Sequence, residues 1–247
     1  MVVLYSKNEI EQIAAAGDVV KEVFKQLKDY IKPGISTKDI DNMVETIIKS
    51  MSAEAPTKGY YGFPASCCTS VNEVVVHGVP GDYVLKDGDI VSVDVVAKKN
   101  GFNADACRTY PVGNISEEAA RLIRVTEESF FKGIENARVG NRLSDISSAI
   151  QEHVEAAGFG IIRQYNGHGI GREMHEEPAV PNYGKPNRGY RLKRGTVLAI
   201  EPMVSVGDYD LRTLPDKWSA VTADGSLGAH YENTIVITDG EPRVLTL

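Results

Sequence analysis

The chain has 247 residues, 42% apolar and 25% charged, an ordinary balance for a globular protein long enough to bury a sizeable core. Its 27 Lys and Arg against 34 Asp and Glu leave a net charge of −7, with no block of like charges, which argues against nucleic acid as a constitutive partner. No apolar run is long enough to span a membrane, the charged opening reads as no signal peptide, and three cysteines, Cys67, Cys68 and Cys107, make no disulfide framework, so reduced thiols in the cytoplasm are expected.

Ser6-Lys7-Asn8-Glu9 has the form of a capping box. Ile10, Ile13, Ala14, Gly17, Val20, Phe24 and Leu27 follow at helical spacing, which predicts a helix over about 7–30. Lys32-Pro33-Gly34 ends it. Ser36 and Asp39 open a second helix with Ile40, Met43, Val44, Ile47 and Ile48 on its apolar face. A loop rich in Gly and aromatics, Gly59 to Pro64, leads into a β-rich region. Ser116 caps a third helix reaching about Ala137, and a fourth runs from Asp145 to Ala157, stopped by Gly158. A strand is expected from Ile161 to Tyr165, then the glycine-rich loop Asn166 to Gly171 carrying His168, a polar loop carrying His175, and strands over about 196–205 and 230–238.

Asn100-Gly101 between two β-rich runs is a hairpin signal. A two-residue turn there places Asp105 opposite Val96. Asp94, two residues from Val96, points to the same face as both. Asp94 and Asp105 then become diagonal neighbours, roughly 7–8 Å apart at the backbone and able to share a cation. Ile90 to Val96 is otherwise apolar enough for a core, where a bare carboxylate is costly unless paired or metal-bound.

The layout repeats. Leu85 to Asp94 aligns without a gap on Leu192 to Glu201, and Gly34, Asp39 and Ile40 match Gly140, Asp145 and Ile146. The expectation is one catalytic domain over 1–247, built as two similar halves of about 6–110 and 116–240. Its class is α+β, with helices packed on a mostly antiparallel sheet. The second half then supplies acidic residues where the first has Asp94 and Asp105: Glu201 on the matching strand and Glu232 on the last.

Asp94, Asp105, Glu201 and Glu232 on core strands would repel one another without cations. Two divalent cations cancel four negative charges and leave room for a bridging hydroxide. Oxygen ligands with one imidazole, His168, and no thiolate suit Mn, Fe(II), Co or Zn. Paired metals about 3.5–4 Å apart are a hydrolytic device.

The order His77, Asp94, Asp105, His168, His175, Glu201, Glu232 resembles the type I methionine aminopeptidases of peptidase family M24, whose fold is the pita-bread fold. The most specific segments are Asn72 to Pro80, Gly167-His168-Gly169-Ile170-Gly171, His175-Glu176-Glu177-Pro178 and Ala199-Ile200-Glu201-Pro202. The resemblance covers essentially the whole chain and points to the short bacterial form. It implies removal of the initiator methionine from N-terminal methionyl peptides and nascent chains when the second residue is small. By the resemblance, Asp94 is a bidentate ligand of one metal, Asp105 and Glu232 bridge both, and His168 and Glu201 complete the other. Hydroxide between the metals attacks the first peptide bond. Glu201 accepts and donates the proton, His175 donates to the oxyanion or the substrate carbonyl, and His77 holds the scissile amide nitrogen or its neighbour.

The same resemblance assigns a methionine pocket to Tyr60, Phe63, Cys68, Met174 and Trp218, with Thr57 nearby. Thr57 stands where a cysteine is common and Met174 where Phe is common, which bears on fine substrate preference. The expected state is a monomer in the cytoplasm, in transient contact with the ribosome. His153 reads as a packed residue of the fourth helix, and His230, which alternates with Glu232 and so can face the same way, as a structural residue, with a place behind the metal ligands as the alternative. Cys107 reads as packed. Two other functions compete: a dipeptidase cleaving before proline, whose relatives generally carry an added N-terminal domain, and a scaffold that has lost its metals and only binds partners. The presence of every ligand with His77 and His175 disfavours the second.

Overall fold

The computed structural model describes all 247 residues. Helix α1 spans Lys7–Tyr30 and α2 Thr37–Ser50, and each opens on a capping box, Ser6 with Glu9 and Ser36 with Asp39. Strands β1 (Cys68–Val71), β2 (Val74–Val76), β3 (Ile90–Lys99) and β4 (Phe102–Pro111) follow, then α3 (Glu117–Ile134) and α4 (Leu143–Ala156). The remainder is short strands: β5 (Gly160–Ile161), β6 (Gly167–Gly169), β7 (Glu176–Val180), β8 (Val197–Ile200), β9 (Met203–Ser205), β10 (Leu211–Thr213), β11 (Ala220–Thr222), β12 (Gly228–His230), β13 (Glu232–Val236) and β14 (Arg243–Val244).

The main sheet has eight strands in the order β1-β3-β4-β13-β8-β6-β7, with β14 paired to β13. Its pairings are antiparallel throughout. Two further three-stranded sheets have the orders β10-β11-β2 and β12-β9-β5. The β3–β4 hairpin turns at Asn100 and Gly101, both with positive φ (52° and 83°), the backbone that a two-residue turn matching strand twist demands. Its register pairs Val96 with Asp105 and Asp94 with Cys107, as a two-residue turn at Asn100-Gly101 requires.

Strand alternation decides which side packs and which side works. Val91, Val93 and Val95 of β3, with Ala104 and Ala106 of β4, enter a core shared with Val20, Leu27, Ile40 and Ile48 of α1 and α2. Leu198 and Ile200 of β8 and Ile235 of β13 enter a second core with Leu122 and Phe130 of α3 and Ile146 and Ile150 of α4. The opposite side of the sheet centre is left for polar side chains.

Matched segments make matched contacts. The Gly34 amide donates to the Leu85 carbonyl at 2.8 Å, and the Gly140 amide to the Leu192 carbonyl at 3.0 Å. Gly34 and Gly140 share a left-handed φ of 95° and 94°.

The later strands differ from expectation. The run over 196–205 is two strands in different sheets, because Pro202 has no N–H to continue the ladder of β8. The run over 230–238 is likewise split at Tyr231, whose amide turns away to the Pro202 carbonyl at 3.2 Å. The expected strand Ile161 to Tyr165 is only β5, and the expected glycine loop instead holds β6.

Candidate metal centre and substrate pocket

Two adjacent rows across the main sheet bring the acidic residues together. Residues paired directly in antiparallel strands point the same way. Cys68 pairs with Asp94, Asp94 with Cys107, and Cys107 with Glu232, which makes one row. The next holds Val96 paired with Asp105, then Thr234 paired with Ala199, and Ala199 with His168. Thr234 joins the two parts, since its hydroxyl accepts from the Asp105 amide and donates to the Asp105 carbonyl, both at 2.9 Å. Glu201 sits two residues from Ala199, just past the end of β8, on the same face.

All five expected ligands line one cavity of about 210 Å³, together with His77, His175, Tyr60, Phe63, Cys68, Met174, Trp218 and Thr57. The structure therefore brings together the expected ligands, His77, His175 and the expected pocket residues. His168 Nε2 lies 3.5 Å from Glu201 Oε1 and 3.9 Å from Asp105 Oδ2. Its Nδ1 donates to the Gly169 carbonyl at 2.8 Å, which leaves Nε2 as the free lone pair facing the carboxylates. Donor atoms of Asp105, His168 and Glu232 lie within 4.8 Å of one another, as do those of Asp94, His230 and Glu232, so Glu232 is common to both groups.

As a bare set of side chains these carboxylates resist ionising. Burial, and then the Glu232 and Asp94 charges, push Asp105 well above the usual carboxylate range. Burial with neighbouring carboxylates does the same to Glu201 and Glu232, and burial raises Asp94 to about 6. Asp94 Oδ1, Asp105 Oδ1 and Glu232 Oε1 are buried without a hydrogen-bond partner. Such orphaned oxygens are costly unless a cation satisfies them, and an oxygen-rich set with a free imidazole nitrogen fits a divalent metal. The imidazoles are held neutral: burial, then the charge of His175, lowers His168 to about 3 and His77 to about 4.

His175 stands at the cavity mouth. Tyr60 Oη meets its Nδ1 at 2.7 Å, and its ring sits edge-on to that of His168, with centroids 4.3 Å apart. Partial burial of the ring lowers its pKa. His77 follows β2 with a left-handed φ of 58°, a strained backbone for a residue with a side chain. The next residue, Gly78, packs so tightly on β1 that a Cβ there would collide with the Thr69 carbonyl. The His77 ring is edge-on to Tyr165 at 5.1 Å. The apolar wall is a small cluster of Phe63, Ala65 and Cys68 with Trp218 packed on it, the Phe63 and Trp218 rings being T-shaped at 5.2 Å.

The pattern of Metallopeptidase family M24 matches residues 11–239. The chain belongs to this family. A methionine aminopeptidase of Clostridium perfringens is 56% identical over 247 residues, covering 100% of this chain and 99% of that one. The crystal structure of the methionine aminopeptidase from Thermotoga maritima superposes with a TM-score of 0.98 at 46% identity, covering 100% and 99% of the two chains. The prolidase of Pyrococcus furiosus, also similar, gives 0.79 at 26% identity, with 99% of this chain covered but 65% of the other. The M24 chain described here thus has the pita-bread fold and the full-length match of a methionine aminopeptidase, a hydrolase that takes single residues from peptide N-termini with metal assistance.

The sequence reading missed Tyr61, Tyr165, Asn166, Met203 and His230, which also line the M24 cavity. Tyr61 carried a signal, since it sits between Tyr60 and Gly62 in a turn where its φ is 46°. His230 carried one too, in its alternation with Glu232. His153 is half-buried rather than core and sits 3.2 Å from Glu128 of α3, tying the two helices of the second pair. Cys107 is fully buried, as expected.

Proposed function

We propose that this chain removes the N-terminal methionine from peptides and nascent chains whose second residue is small, using two divalent cations. The observation that carries the reading is the convergence of Asp94, Asp105, His168, Glu201 and Glu232 in one cavity that Phe63, Cys68, Met174 and Trp218 also line.

Asp94 would hold one cation, Asp105 and Glu232 both, and His168 with Glu201 the other. Mn, Fe(II), Co and Zn all suit that donor set. When bound, such cations supply charge neutralisation, a water acidic enough to ionise near neutral pH, and an anchor for the free amine. Glu201 takes the proton of the attacking water and returns it to the leaving amine. Neutral His175, held by Tyr60, donates to the oxygen of the scissile carbonyl as charge develops there. His77 holds the scissile amide nitrogen. Phe63, Cys68, Met174 and Trp218, with Tyr60 at the rim, bind the thioether side chain.

The wider reading is one catalytic domain of two related halves, acting as a cytoplasmic monomer with transient ribosome contact and no need of nucleic acid or membrane. No helix is long and apolar enough to cross a membrane. The test is mass spectrometry of a Met-Ala-Ser peptide incubated with protein purified anaerobically, with elemental analysis alongside. Loss of the methionine only, abolished by a chelator and restored by one of the four metals, is the expected result. Intact peptide with metal-replete protein overturns it.

A further inference from the structure

His230 is an imidazole beside the carboxylates to which the assignment above gives no part. It is 2% exposed and lies at the last position of β12, two residues before Glu232. Alternation turns both side chains into the cavity, while Tyr231 between them packs the other way, 5.5 Å from the ring of Phe130. Its backbone is fixed at both polar atoms by one side chain. The Thr109 hydroxyl donates to the His230 carbonyl at 2.8 Å and accepts from its amide at 3.0 Å.

The ring itself is not satisfied. His230 Nε2 is buried with no hydrogen-bond partner. Its nearest carboxylate oxygen, Glu232 Oε2, is 3.7 Å away, too far for a hydrogen bond. A histidine present only to pack would be expected to pair that nitrogen. The orphaned atom instead shares its surroundings with the orphaned Asp94 Oδ1 and Glu232 Oε1. The donor atoms of Asp94, His230 and Glu232 all lie within 4.8 Å of one another. Nitrogen and oxygen ligands at about 2.0–2.2 Å from one cation stand roughly 3–4 Å apart, which is the spacing of His230 Nε2 and Glu232 Oε2.

We infer that His230 is a sixth protein ligand, bound through Nε2 to the cation that Asp94 and Glu232 hold. The inference rests on the two-cation reading above. It gives each cation one imidazole, His230 on the Asp94 side and His168 on the other. An added imidazole favours borderline ions such as Fe(II), Co and Zn over Mn at the Asp94 side.

The test is X-ray absorption of the zinc-loaded enzyme, which counts imidazoles by their outer-shell scattering, with calorimetric titration of metal into the metal-free protein. The wild-type enzyme should show one imidazole per cation. His230→Gln should show one for every two cations, and one of its two binding steps should weaken tenfold or more while the other stays within twofold. One imidazole for every two cations in the wild-type enzyme overturns the inference without needing any variant. An unchanged count in His230→Gln overturns it as well. These failures are distinct from failure of the underlying reading, in which the wild-type protein takes up no cation and both fall together.

Discussion

The hydroxyl of Thr234 grips both backbone atoms of Asp105, accepting from its amide and donating to its carbonyl at 2.9 Å each. Asp105 is thereby fixed between β4 and β13 at the point where the two rows of ligands meet, in a part of the sheet that is otherwise fully buried. Thr234→Val keeps the shape and leaves the Asp105 amide unpaired, a loss of about 1–3 kcal/mol. Chemical denaturation should register that loss in the metal-free protein, and metal affinity should fall with it. Unchanged stability and affinity in the valine variant would show that the strands hold Asp105 without this clamp.

Glu232 belongs to both groups of donor atoms, and Asp105 feels the charges of both Asp94 and Glu232. Loss of either carboxylate charge should therefore disturb two cations rather than one. Asp105→Asn and Glu232→Gln are each expected to bind less metal and to lose activity entirely. Metal titration of either variant giving two tight sites with full turnover contradicts the shared-ligand assignment.

Glu201 lies outside both groups, 3.5 Å from His168 Nε2 and just beyond the end of β8. Its double assignment, as ligand beside His168 and as proton carrier, sets it apart from the carboxylates that only bind metal. Glu201→Gln should retain some of the metal while turnover falls roughly 10²–10⁴-fold, the usual size of a positioned acid–base contribution. Near-native turnover in the metal-replete variant would move the proton role elsewhere.

Chelation should leave a protein whose stability depends on pH in a particular window. Asp94 is raised to about 6, and Asp105, Glu201 and Glu232 lie well above the carboxylate range. The native state then holds protons that the unfolded chain has released, so rising pH favours unfolding through these groups. The buried imidazoles act oppositely below their ordinary value of about 6.5, since His77, His168 and His230 are neutral when folded and charged when unfolded. Above that value they are neutral in both states and their contribution to the slope vanishes. Above about pH 6.5 the melting temperature of chelated protein should fall as pH rises, and the gain on adding Mn(II) should grow. A flat profile in that window, with or without metal, is the contrary result.

How much of this was legible in the sequence depends on how local the cause is. The hairpin at Asn100-Gly101 sets Val96 against Asp105 by counting alone, and the capping boxes at Ser6 and Ser36 start α1 and α2 where they should. His168 was legible as a candidate but not its setting. A three-residue strand, β6, exists only because β7 and β8 flank it, and no periodicity spans three residues. The breaks at Pro202 and Tyr231 have the same origin. Proline interrupts one ladder, but the small sheet that receives β9 and β12 comes from sequence far away. His230 was read as structural because alternation gives a direction and not a destination. Only the fold puts Asp94 and its orphaned oxygen next to it.

Selectivity for the first residue should follow from the cavity wall, and it separates the methionine reading from the proline-specific one. Phe63, Cys68 and Met174 are buried there, and Trp218 closes the side against Phe63. Aromatic and sulfur groups of this kind match an unbranched thioether. A misfit of one methylene in such a pocket is worth about 1–3 kcal/mol, so norleucine or leucine should be cleaved slowly rather than refused. A charged first residue would be desolvated with no partner and should fail. At the second position His77 crowds the cavity from its fixed, left-handed backbone, so Met-Ala, Met-Gly and Met-Ser should be cleaved and Met-Lys and Met-Phe hardly at all. Thr57 tests the pocket more finely, because its hydroxyl is buried in the cavity with no hydrogen-bond partner. Thr57→Cys removes that orphaned group and should raise kcat/KM for methionyl substrates, and Met174→Phe should narrow first-residue preference, both without altering metal content. A matched tripeptide panel with the metal held constant measures all of this. Faster hydrolysis of Ala-Pro or Leu-Pro than of Met-Ala-Ser would favour the proline-specific relative, and a Thr57 or Met174 variant that changed second-residue preference instead would place the methionine side chain somewhere other than this wall.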